Sequence, residues 1–407
     1  MSARLLSSLV RAARAADVRV HRALSPVARA VIFDARSAME YGMMAPVHQR
    51  LLADGRIRTS LVSSARPGRA QEIFREAPAD VPRLAPREAM LKRYDAYVAA
   101  DLVWAALPRG TRRVQMFHGV AGKFSREYDR PDASMRQWDR LFFINRRRLR
   151  NYIDSGAIDR DSPAIRLVGM PKSDCLVDGS LNRNGVLEAH GVDSSRPTVL
   201  YAPTWTRFSS LNAMGEDVVR GLVDAGYRVL VKLHELSLDP AVVNSGGVDW
   251  PARLRPILAR GRGRLITAAD ASPWLVASDA LVTDHSSIGF EYLLLDRPLI
   301  RIEMPDLIAG SDIGREYVEM MASVSTTVHS AAGVLDAVER GLSDPTPLST
   351  ARRELAGDLF HDPGHATDRA VQELYALMDL PEPAVAVGQA PARAHEATGS
   401  RERALSR

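Results

Sequence analysis

Residues 279–300, DALVTDHSSIGFEYLLLDRPLI, decide the fold class because a strand, a polar turn and a helix follow one another directly. The apolar run at 279–282 predicts a buried strand, residues 283–287 its C-terminal turn, and residues 288–295 the following helix. This succession is the repeating unit of a parallel α/β sheet. Ligands of such sheets bind at the carboxyl ends of the strands, so the polar residues between strand and helix predict a binding site.

Short β-branched runs alternate with longer helical patterns along most of the chain, which predicts two α/β domains with parallel sheets. A polar, turn-rich stretch at 176–197 separates the two series of strands, and we place the boundary near residue 185. The runs before it are ARAVIFDA, RTSLVSS, AYVAADLVWAAL, RRVQMFHG, LFFIN and AIRLVGMP, and those after it are TVLYAPTW, YRVLVKLHE, GRLITAA, DALVTDHSS and PLIRIEM. The predicted domains are therefore 31–185 and 186–380.

The composition is that of a soluble globular protein, with 46% hydrophobic and 25% charged residues among 407. The single cysteine, Cys175, rules out an internal disulfide framework and a cysteine-based metal site, and it fits a reducing, cytosolic compartment. No zinc-binding motif is present, and we predict that the protein needs neither a metal ion nor a cofactor. No apolar run approaches the roughly 20 residues that cross a bilayer.

The two ends of the chain differ in composition from the predicted domains. Residues 1–30 carry six arginines and one acid, with apolar residues at helical spacing. This basic amphipathic segment is either a helix that lies on anionic lipid or an ordinary surface helix of the first domain. Residues 381–407 are rich in Pro, Ala, Arg and Glu and lack periodicity, which predicts a disordered tail. The net charge of +5 favours anionic partners.

Four predicted strands, drawn from both sheets, end in polar residues. The clusters are Phe117-His118-Gly119 with Lys123, Thr204-Trp205, Lys232-Leu233-His234 and Ser286-Ser287. Taken singly, each is explained by a helix cap or a turn, and Asp284 by the closure of such a turn. Together they predict one cleft between the domains, where a helix that begins at Ser286 and Ser287 holds a phosphate group.

Five motifs occur in a fixed order over roughly residues 110–370. They are FHGVAGK at 117–123, YAPTW at 201–205, VKLH at 231–234, TDHSSIGFEYLLLDRP at 283–298 and HDPGHATDR at 361–369. The set resembles the CDP-glycerol:poly(glycerophosphate) glycerophosphotransferases, which are teichoic acid primases and polymerases. The resemblance implies a GT-B fold, with two facing Rossmann-like domains and an active site in the cleft between them.

The resemblance also implies partners and roles for single residues. The acceptor site would lie on the first domain and the CDP-glycerol site on the second. Peripheral attachment to the cytoplasmic face of the membrane would bring the protein to its lipid-linked acceptor. His118 matches the histidine thought to act as catalytic base, and His234 matches a second functional histidine. Thr204, Ser286 and Ser287 match positions that hold the diphosphate.

Several positions depart from the family's pattern. The family has Arg where Thr206 stands, followed here by Arg207, and Tyr where His285 stands. It has Asp in place of Glu291 and Pro in place of Glu235. These departures leave the donor open among glycerol phosphate, ribitol phosphate and other alditol phosphates, and they bear less on the reaction class.

In the implied reaction an acceptor hydroxyl group attacks the distal phosphorus of the CDP diphosphate, and CMP leaves. We expect His118 to accept the proton, while Lys232 and His234, on one face of a strand exit, hold the leaving phosphate. The predicted catalytic residues are His118 and His234. The predicted substrate contacts are Gly119, Lys123, Thr204, Arg207, Lys232, Asp284, Ser286, Ser287, Glu291, Thr367 and Arg369.

Three of these contacts have a more specific predicted role. Glu291, about one helical turn after Ser286, either reaches a ribose hydroxyl group or forms an ion pair. Thr367 and Arg369 close over the diphosphate from the C-terminal segment. We assign Asp362 to a turn with the following Pro-Gly pair.

The sequence also fits other functions. The basic run Arg146-Arg147-Arg148 with Arg150 is either a solvated helix face or a site for an anionic polymer or headgroup. It lacks the interleaved aromatic residues that stack bases, which argues against nucleic-acid binding. The alternatives to glycerophosphate transfer are a GT-B enzyme that uses a nucleotide sugar, such as a glycosyltransferase or a sugar-nucleotide epimerase, and a non-catalytic protein that binds anionic polymer.

Overall fold

The computed structural model describes residues 28–100, 110–124, 133–241 and 246–383, together with three single positions, Ala12, Ala16 and Val20. Nearly all of the predicted amphipathic segment at 1–30 and of the predicted tail at 381–407 lies outside the described residues. Among the described residues, no helix is both long and apolar enough to cross a bilayer.

The first sheet is built from parallel strands of the N-terminal half. Its strands are β1 Arg29–Asp34, β2 Ile57–Val62, β3 Arg83–Leu84, β4 Ala96–Ala99, β5 Arg112–Met116, β6 Arg140–Phe143 and β7 Ile165–Leu167, in the order β3-β2-β1-β4-β5-β6-β7. Its helices are α1 Ala38–Leu52, α2 Ala70–Ile73, α3 Pro86–Leu91 and α4 Arg146–Asp154, with 3-10 turns at Pro67–Arg69, Ala133–Gln137 and Pro171–Leu176.

The second sheet is likewise parallel. Its strands are β8 Thr198–Tyr201, β9 Arg228–Lys232, β10 Arg264–Ile266, β11 Ala280–Thr283, β12 Leu299–Ile302 and β13 Thr326–Val328, in the order β10-β9-β8-β11-β12-β13. Its helices are α5 Arg183–Ala189, α6 Ser210–Asp224, α7 Trp250–Arg260, α8 Ser272–Ala277, α9 Ile288–Tyr292, α10 Pro305–Gly310, α11 Arg315–Val324, α12 Ala331–Ser343 and α13 Ser349–Leu359; α14 Ala366–Leu377 follows, and 3-10 turns lie at Glu235–Ser237 and Leu293–Leu295.

The central strands are apolar on both faces because helices cover both sides of each sheet. Val31, Ile32 and Phe33 of β1 are fully buried, as are Leu281 and Val282 of β11. The prediction of two Rossmann-like domains with parallel sheets is therefore confirmed.

The order of strands reverses between β1 and β4 in the first sheet and between β8 and β11 in the second. Such reversal points open a crevice at the carboxyl ends of the strands, where ligands of α/β proteins bind. In the second sheet the residues that follow β8 and β11 are the predicted Thr204 and Asp284.

The last helix, α14, packs against α1 and the turn Pro171–Leu176 of the first domain. The Tyr375 hydroxyl donates to Asp54 Oδ2 at 2.6 Å, and Arg29 Nε donates to the Met378 carbonyl at 2.8 Å. The sequence boundaries placed this helix in the second domain, whereas its contacts are with the first. Conversely, α5, which contains the predicted boundary at residue 185, packs on α8 of the second domain.

Two arginines of the basic run on α4 contact other residues of the protein. Arg147 forms ion pairs with Glu316 of α11 and Asp358 of α13, the latter at 2.8 Å. Arg148 is buried, and its guanidinium lies over the Tyr152 ring, 5.4 Å from its centroid. Arg147 therefore joins the two domains, and Arg148 belongs to the core of the first.

Candidate active site

The loop after β5 carries the first candidate catalytic residue, His118. Its Nδ1 lies 2.7 Å from the Ala100 carbonyl oxygen. A carbonyl only accepts hydrogen bonds, so Nδ1 must carry the proton, and Nε2 of a neutral ring keeps its lone pair. The ring is half-buried at the carboxyl end of the sheet, and Gly119, at φ 85°, turns the chain behind it.

His234, in the second domain, has the opposite tautomer. Its Nδ1 accepts a hydrogen bond from the Leu236 backbone N–H at 3.2 Å, so the proton of a neutral ring lies on Nε2. Burial, together with the charges of Lys232 and Lys123, lowers the pKa of His234 to about 4. The ring is therefore neutral at pH 7. Its centroid lies 5.9 Å from that of the Trp205 ring.

Two lysines from different domains lie near His234. Lys232 is half-buried and donates to the Leu233 carbonyl at 2.8 Å. Burial lowers its pKa to about 8, with a further contribution from Lys172. Burial also lowers the pKa of Lys123, and the negative charge of Asp284 acts in the opposite direction. Lys232 and His234 are half-exposed whereas Leu233 is buried, as alternation along a strand requires.

Asp284 follows β11, is fully buried, and accepts four hydrogen bonds. Oδ1 accepts from the Thr204 N–H at 2.9 Å and from its hydroxyl at 2.5 Å. Oδ2 accepts from the Ser210 N–H at 3.1 Å and from its hydroxyl at 3.0 Å. The structure gives this carboxylate a structural role, because its acceptor sites are used to hold the loop after β8, and its contact with substrate stays a prediction. The Thr204 hydroxyl, predicted to hold the diphosphate, is committed to the same carboxylate.

Ser286 and Ser287, by contrast, face outward. Ser286 is half-buried and Ser287 is exposed at the start of α9. Ser287 occupies the N-cap position, yet its side chain makes no capping hydrogen bond. The hydroxyl groups and the first N–H groups of this turn therefore remain available to an anion. His285, one of the departures from the family's pattern, is fully buried behind them.

Glu291, on α9, forms an ion pair with Lys172 of the first domain. Lys172 Nζ lies 2.9 Å and 3.2 Å from the two carboxylate oxygens, and each side chain is only about 10% exposed. Burial acts to lower the pKa of Lys172, but the charges of Glu291 and Asp270 raise it overall, so the pair is ionic. The sequence reasoning missed Lys172; its place directly after the glycine-proline turn that follows β7 is the one signal for it.

The C-terminal motif fastens the last helix to the first domain. Arg369 donates to the carbonyl groups of Val168, His361 and Asp362 at 2.8, 3.0 and 2.7 Å, and it pairs with the Asp362 carboxylate. All three nitrogens of its guanidinium thus have partners within the protein. Closure of Arg369 over the diphosphate stays a prediction.

Thr367, the other residue predicted to close over the diphosphate, is also engaged with the first domain. Its N–H donates to Asp174 Oδ2 at 2.7 Å, while Asp174 Oδ1 accepts from the N–H groups of Gly364 and Ala366. Asp174, which the sequence reasoning missed, thereby caps α14. The backbone of Thr367 belongs to this cap, its hydroxyl donates to the Pro171 carbonyl at 3.4 Å, and its closure over the diphosphate stays a prediction.

Arg207 is exposed at the loop after β8, and its guanidinium lies over the Phe208 ring at 4.7 Å from the centroid. Its stacking leaves the outward edge of the guanidinium toward solvent. In the part of the chain that the structure describes, no cluster of three or more His, Cys, Asp or Glu side chains is arranged to hold a metal ion.

Comparison with known proteins adds three findings. Residues 103–374 match the family model described as CDP-Glycerol:Poly(glycerophosphate) glycerophosphotransferase. The chain is 25% identical over 200 residues to a teichoic acid poly(glycerol phosphate) polymerase of Staphylococcus epidermidis, covering 46% of this chain and 25% of that protein. It is 24% identical over 135 residues to a teichoic acid glycerol-phosphate primase of Bacillus spizizenii, covering 32% of each. The matches thus span a third or less of these curated relatives.

Solved structures share the fold. The wall teichoic acid polymerase TagF superimposes with a TM-score of 0.66 at 15% identity, over 86% of this chain and 89% of that one. A UDP-N-acetylglucosamine 2-epimerase superimposes with a TM-score of 0.55 at 14% identity, over 88% and 99% of the two chains. These neighbours confirm the predicted GT-B architecture.

Proposed function

Because the chain belongs to the CDP-glycerol:poly(glycerophosphate) glycerophosphotransferase family, we propose that it transfers glycerol phosphate from CDP-glycerol to an acceptor hydroxyl group and releases CMP. A related alditol phosphate fits the same site. The family match covers β5 to β7 of the first sheet, the whole second sheet and all five motifs in the order that the sequence shows.

The observation that carries the proposal is the pair of opposite histidine tautomers. His118 presents an Nε2 lone pair, because its Nδ1 proton is held by the Ala100 carbonyl. His234 presents an Nε2–H group, because its Nδ1 accepts from Leu236. A phosphoryl transfer needs a group that accepts a proton and a group that donates a hydrogen bond. In this proposal His118 of the first domain is the proton acceptor, and His234 of the second domain is the hydrogen-bond donor.

The proposed reaction balances with these groups alone. The acceptor oxygen forms a bond to the distal phosphorus, its proton passes to His118 Nε2, and the bond from that phosphorus to the bridging oxygen breaks. His234 Nε2–H donates to the phosphate oxygens of the departing CMP. Lys123 and Lys232 offset the negative charge on the diphosphate, because a cation in a site of low exposure acts more strongly than one in water.

The donor binds, in this proposal, along the carboxyl ends of β8, β9 and β11. Ser286 and Ser287 hold the diphosphate with their free hydroxyl groups and the N–H groups beside them. Glu291 has four acceptor sites, of which Lys172 occupies two, so the remaining two suit the vicinal hydroxyl groups of a ribose. Arg207 extends over the outer edge of the site.

The acceptor side is proposed from chemistry and from the relatives. The named relatives are a teichoic acid poly(glycerol phosphate) polymerase and a teichoic acid glycerol-phosphate primase. We therefore propose a lipid-linked polyol-phosphate acceptor and attachment at the cytoplasmic face of the membrane. The basic segment at 1–30 would supply attraction to anionic lipid.

The test is a panel of nucleotide donors with a glycerol-phosphate lipid acceptor, scored by the nucleotide released. CMP release from CDP-glycerol or CDP-ribitol supports the proposal, and UDP release from a UDP-sugar supports the alternative that the epimerase-like fold allows. EDTA should leave CMP release unchanged if the lysines supply the needed charge.

Variants of the two histidines complete the experiment. His118→Ala should lower kcat by about 10²–10⁴-fold without weakening CDP-glycerol binding, because the base acts only during transfer. His234→Ala should lower kcat by about 10²–10³-fold, as expected for the loss of one donor to a developing charge. Unchanged turnover by His118→Ala would remove the catalytic assignment.

A further inference from the structure

The loop that carries His118 is held by both domains. On the side of the first domain, Asn145 Nδ2 donates to the Val120 carbonyl at 2.8 Å. On the side of the second, the Gly314 N–H donates to the Lys123 carbonyl at 2.9 Å, and Phe124 forms an antiparallel bridge with Ile313. The position of the loop therefore depends on where residues 313–317 lie.

Tyr317 of α11 lies beneath this junction and is almost completely buried. The Lys123 ammonium group sits over its ring, 5.8 Å from the centroid, which is within the range of a cation–π contact. The phenol stays neutral, because burial raises its pKa, with a further contribution from Asp284. Its face is thus an uncharged support for a cation from the other domain.

The same side chain also contacts the turn that carries Ser286 and Ser287. Its hydroxyl donates to the His285 carbonyl at 3.3 Å, directly before Ser286. Its ring packs edge-on against Phe290 of α9, with centroids 5.0 Å apart and planes at 89°. Tyr317 therefore contacts both the turn that carries Ser286 and Ser287 and Lys123 of the loop that carries His118.

We propose that Tyr317 is a positioning residue that couples the phosphate-binding turn at 284–287 to the loop at 117–124, so that donor binding in the second domain sets the place of Lys123 and His118. This inference rests on the proposed function for the identity of the donor. The coupling itself needs only that an anionic nucleotide bind at the turn.

Hydrogen exchange of the whole protein tests the coupling without requiring turnover. Saturating CDP should slow exchange of amides at 284–291 and also at 117–124. In Tyr317→Leu the protection at 284–291 should persist and that at 117–124 should be lost. Persistence of both would overturn the inference, as would the absence of protection at 117–124 in the wild type. Protection by UDP and not by CDP would contradict the proposed donor, and the coupling would then be measured with UDP.

Kinetics with CDP-glycerol separate positioning from a purely structural role. Tyr317→Phe keeps the ring and removes one hydrogen bond, so we expect the KM for the donor to rise about 2- to 10-fold with kcat changed by less than about twofold. The matched control is Tyr292→Phe, which removes a buried hydroxyl group that donates to the Ser278 carbonyl at 3.0 Å, away from the cleft. Tyr292→Phe should lower the melting temperature about as much as Tyr317→Phe does, but it should leave the KM for the donor unchanged. Equal KM values for Tyr317→Phe and Tyr292→Phe would contradict the role of the hydroxyl.

A double-variant cycle tests whether Tyr317 acts through Lys123. Lys123→Met should lower kcat, and adding Tyr317→Leu to it should lower kcat by less than about a further twofold, because the partner is already gone. Effects that multiply in the double variant would show that Tyr317 does not act through the lysine. Melting temperatures of all variants monitor folding.

Discussion

Replacement of Asp284 by asparagine tests whether this residue is a structural support or a substrate contact. The carboxylate accepts four hydrogen bonds, two from Thr204 and two from Ser210, and two of the donors are backbone N–H groups. An asparagine keeps one acceptor oxygen and turns the other position into a donor. In either orientation of the amide, one backbone N–H faces an NH₂ group and loses its partner.

The magnitude follows from these contacts. A buried donor left without a partner costs about 1–3 kcal/mol, while the hydroxyl group beside it can rotate to accept from the new NH₂ group. The two remaining hydrogen bonds lose their charge assistance, which adds about 1 kcal/mol. We expect Asp284→Asn to lower the free energy of unfolding by about 3 kcal/mol.

The assay is urea unfolding of the full chain, followed by intrinsic fluorescence and repeated with saturating CDP. The control is Asp306→Asn, at an exposed position in the first turn of α10, which should stay within about 0.5 kcal/mol of the wild type. A loss of less than about 1 kcal/mol for Asp284→Asn, combined with a rise in the KM for the donor, would refute the structural reading and restore Asp284 as a substrate contact.

Two further predictions concern pH. The pKa of Lys232 is lowered to about 8 by burial, so kcat/KM should fall as pH rises through about 8 and the ammonium group loses its proton. Lys232→Arg keeps the positive charge and should remove this decline in kcat/KM. A decline that persists in the variant would show that another group causes it. The buried His48, bonded to Tyr41 and Thr59 at 2.9 Å each, has its pKa lowered by burial to about 4. The neutral form of His48 stabilises the fold above pH 6.5, and this stability is lost as pH falls to about 4. The difference in the free energy of unfolding between wild type and His48→Gln should therefore shrink by about 3 kcal/mol from pH 7 to pH 4. A difference that stays constant would contradict this account.

The architecture could be predicted from the sequence because its signals are local. A strand, its polar turn and the next helix lie within about 20 consecutive residues, and the alternation of apolar runs repeats along both domains. The carboxyl ends of parallel strands must share an edge, so His118, Thr204, His234 and Ser286 could be assigned to strand ends without coordinates.

The roles within the site depended on contacts between residues far apart in the chain. Asp284 and Ser286 are two positions apart and both polar, yet one is enclosed by four donors from the loop after β8 and the other faces outward. Lys172 gave little signal because its partner, Glu291, lies 119 residues away. A local sequence pattern cannot indicate a contact between residues so far apart in the chain.

The sequence by itself determined the two parallel sheets, the order of the motifs and the polar strand ends, because hydrophobic periodicity and turn chemistry act between neighbours in the chain. Only the tertiary structure decided which polar groups already have partners within the protein. It packs α14 against the first domain, encloses the Asp284 carboxylate and engages Arg369 with carbonyl groups. It also fixed the opposite tautomers of His118 and His234, because a histidine's proton is placed by the group that its other nitrogen meets.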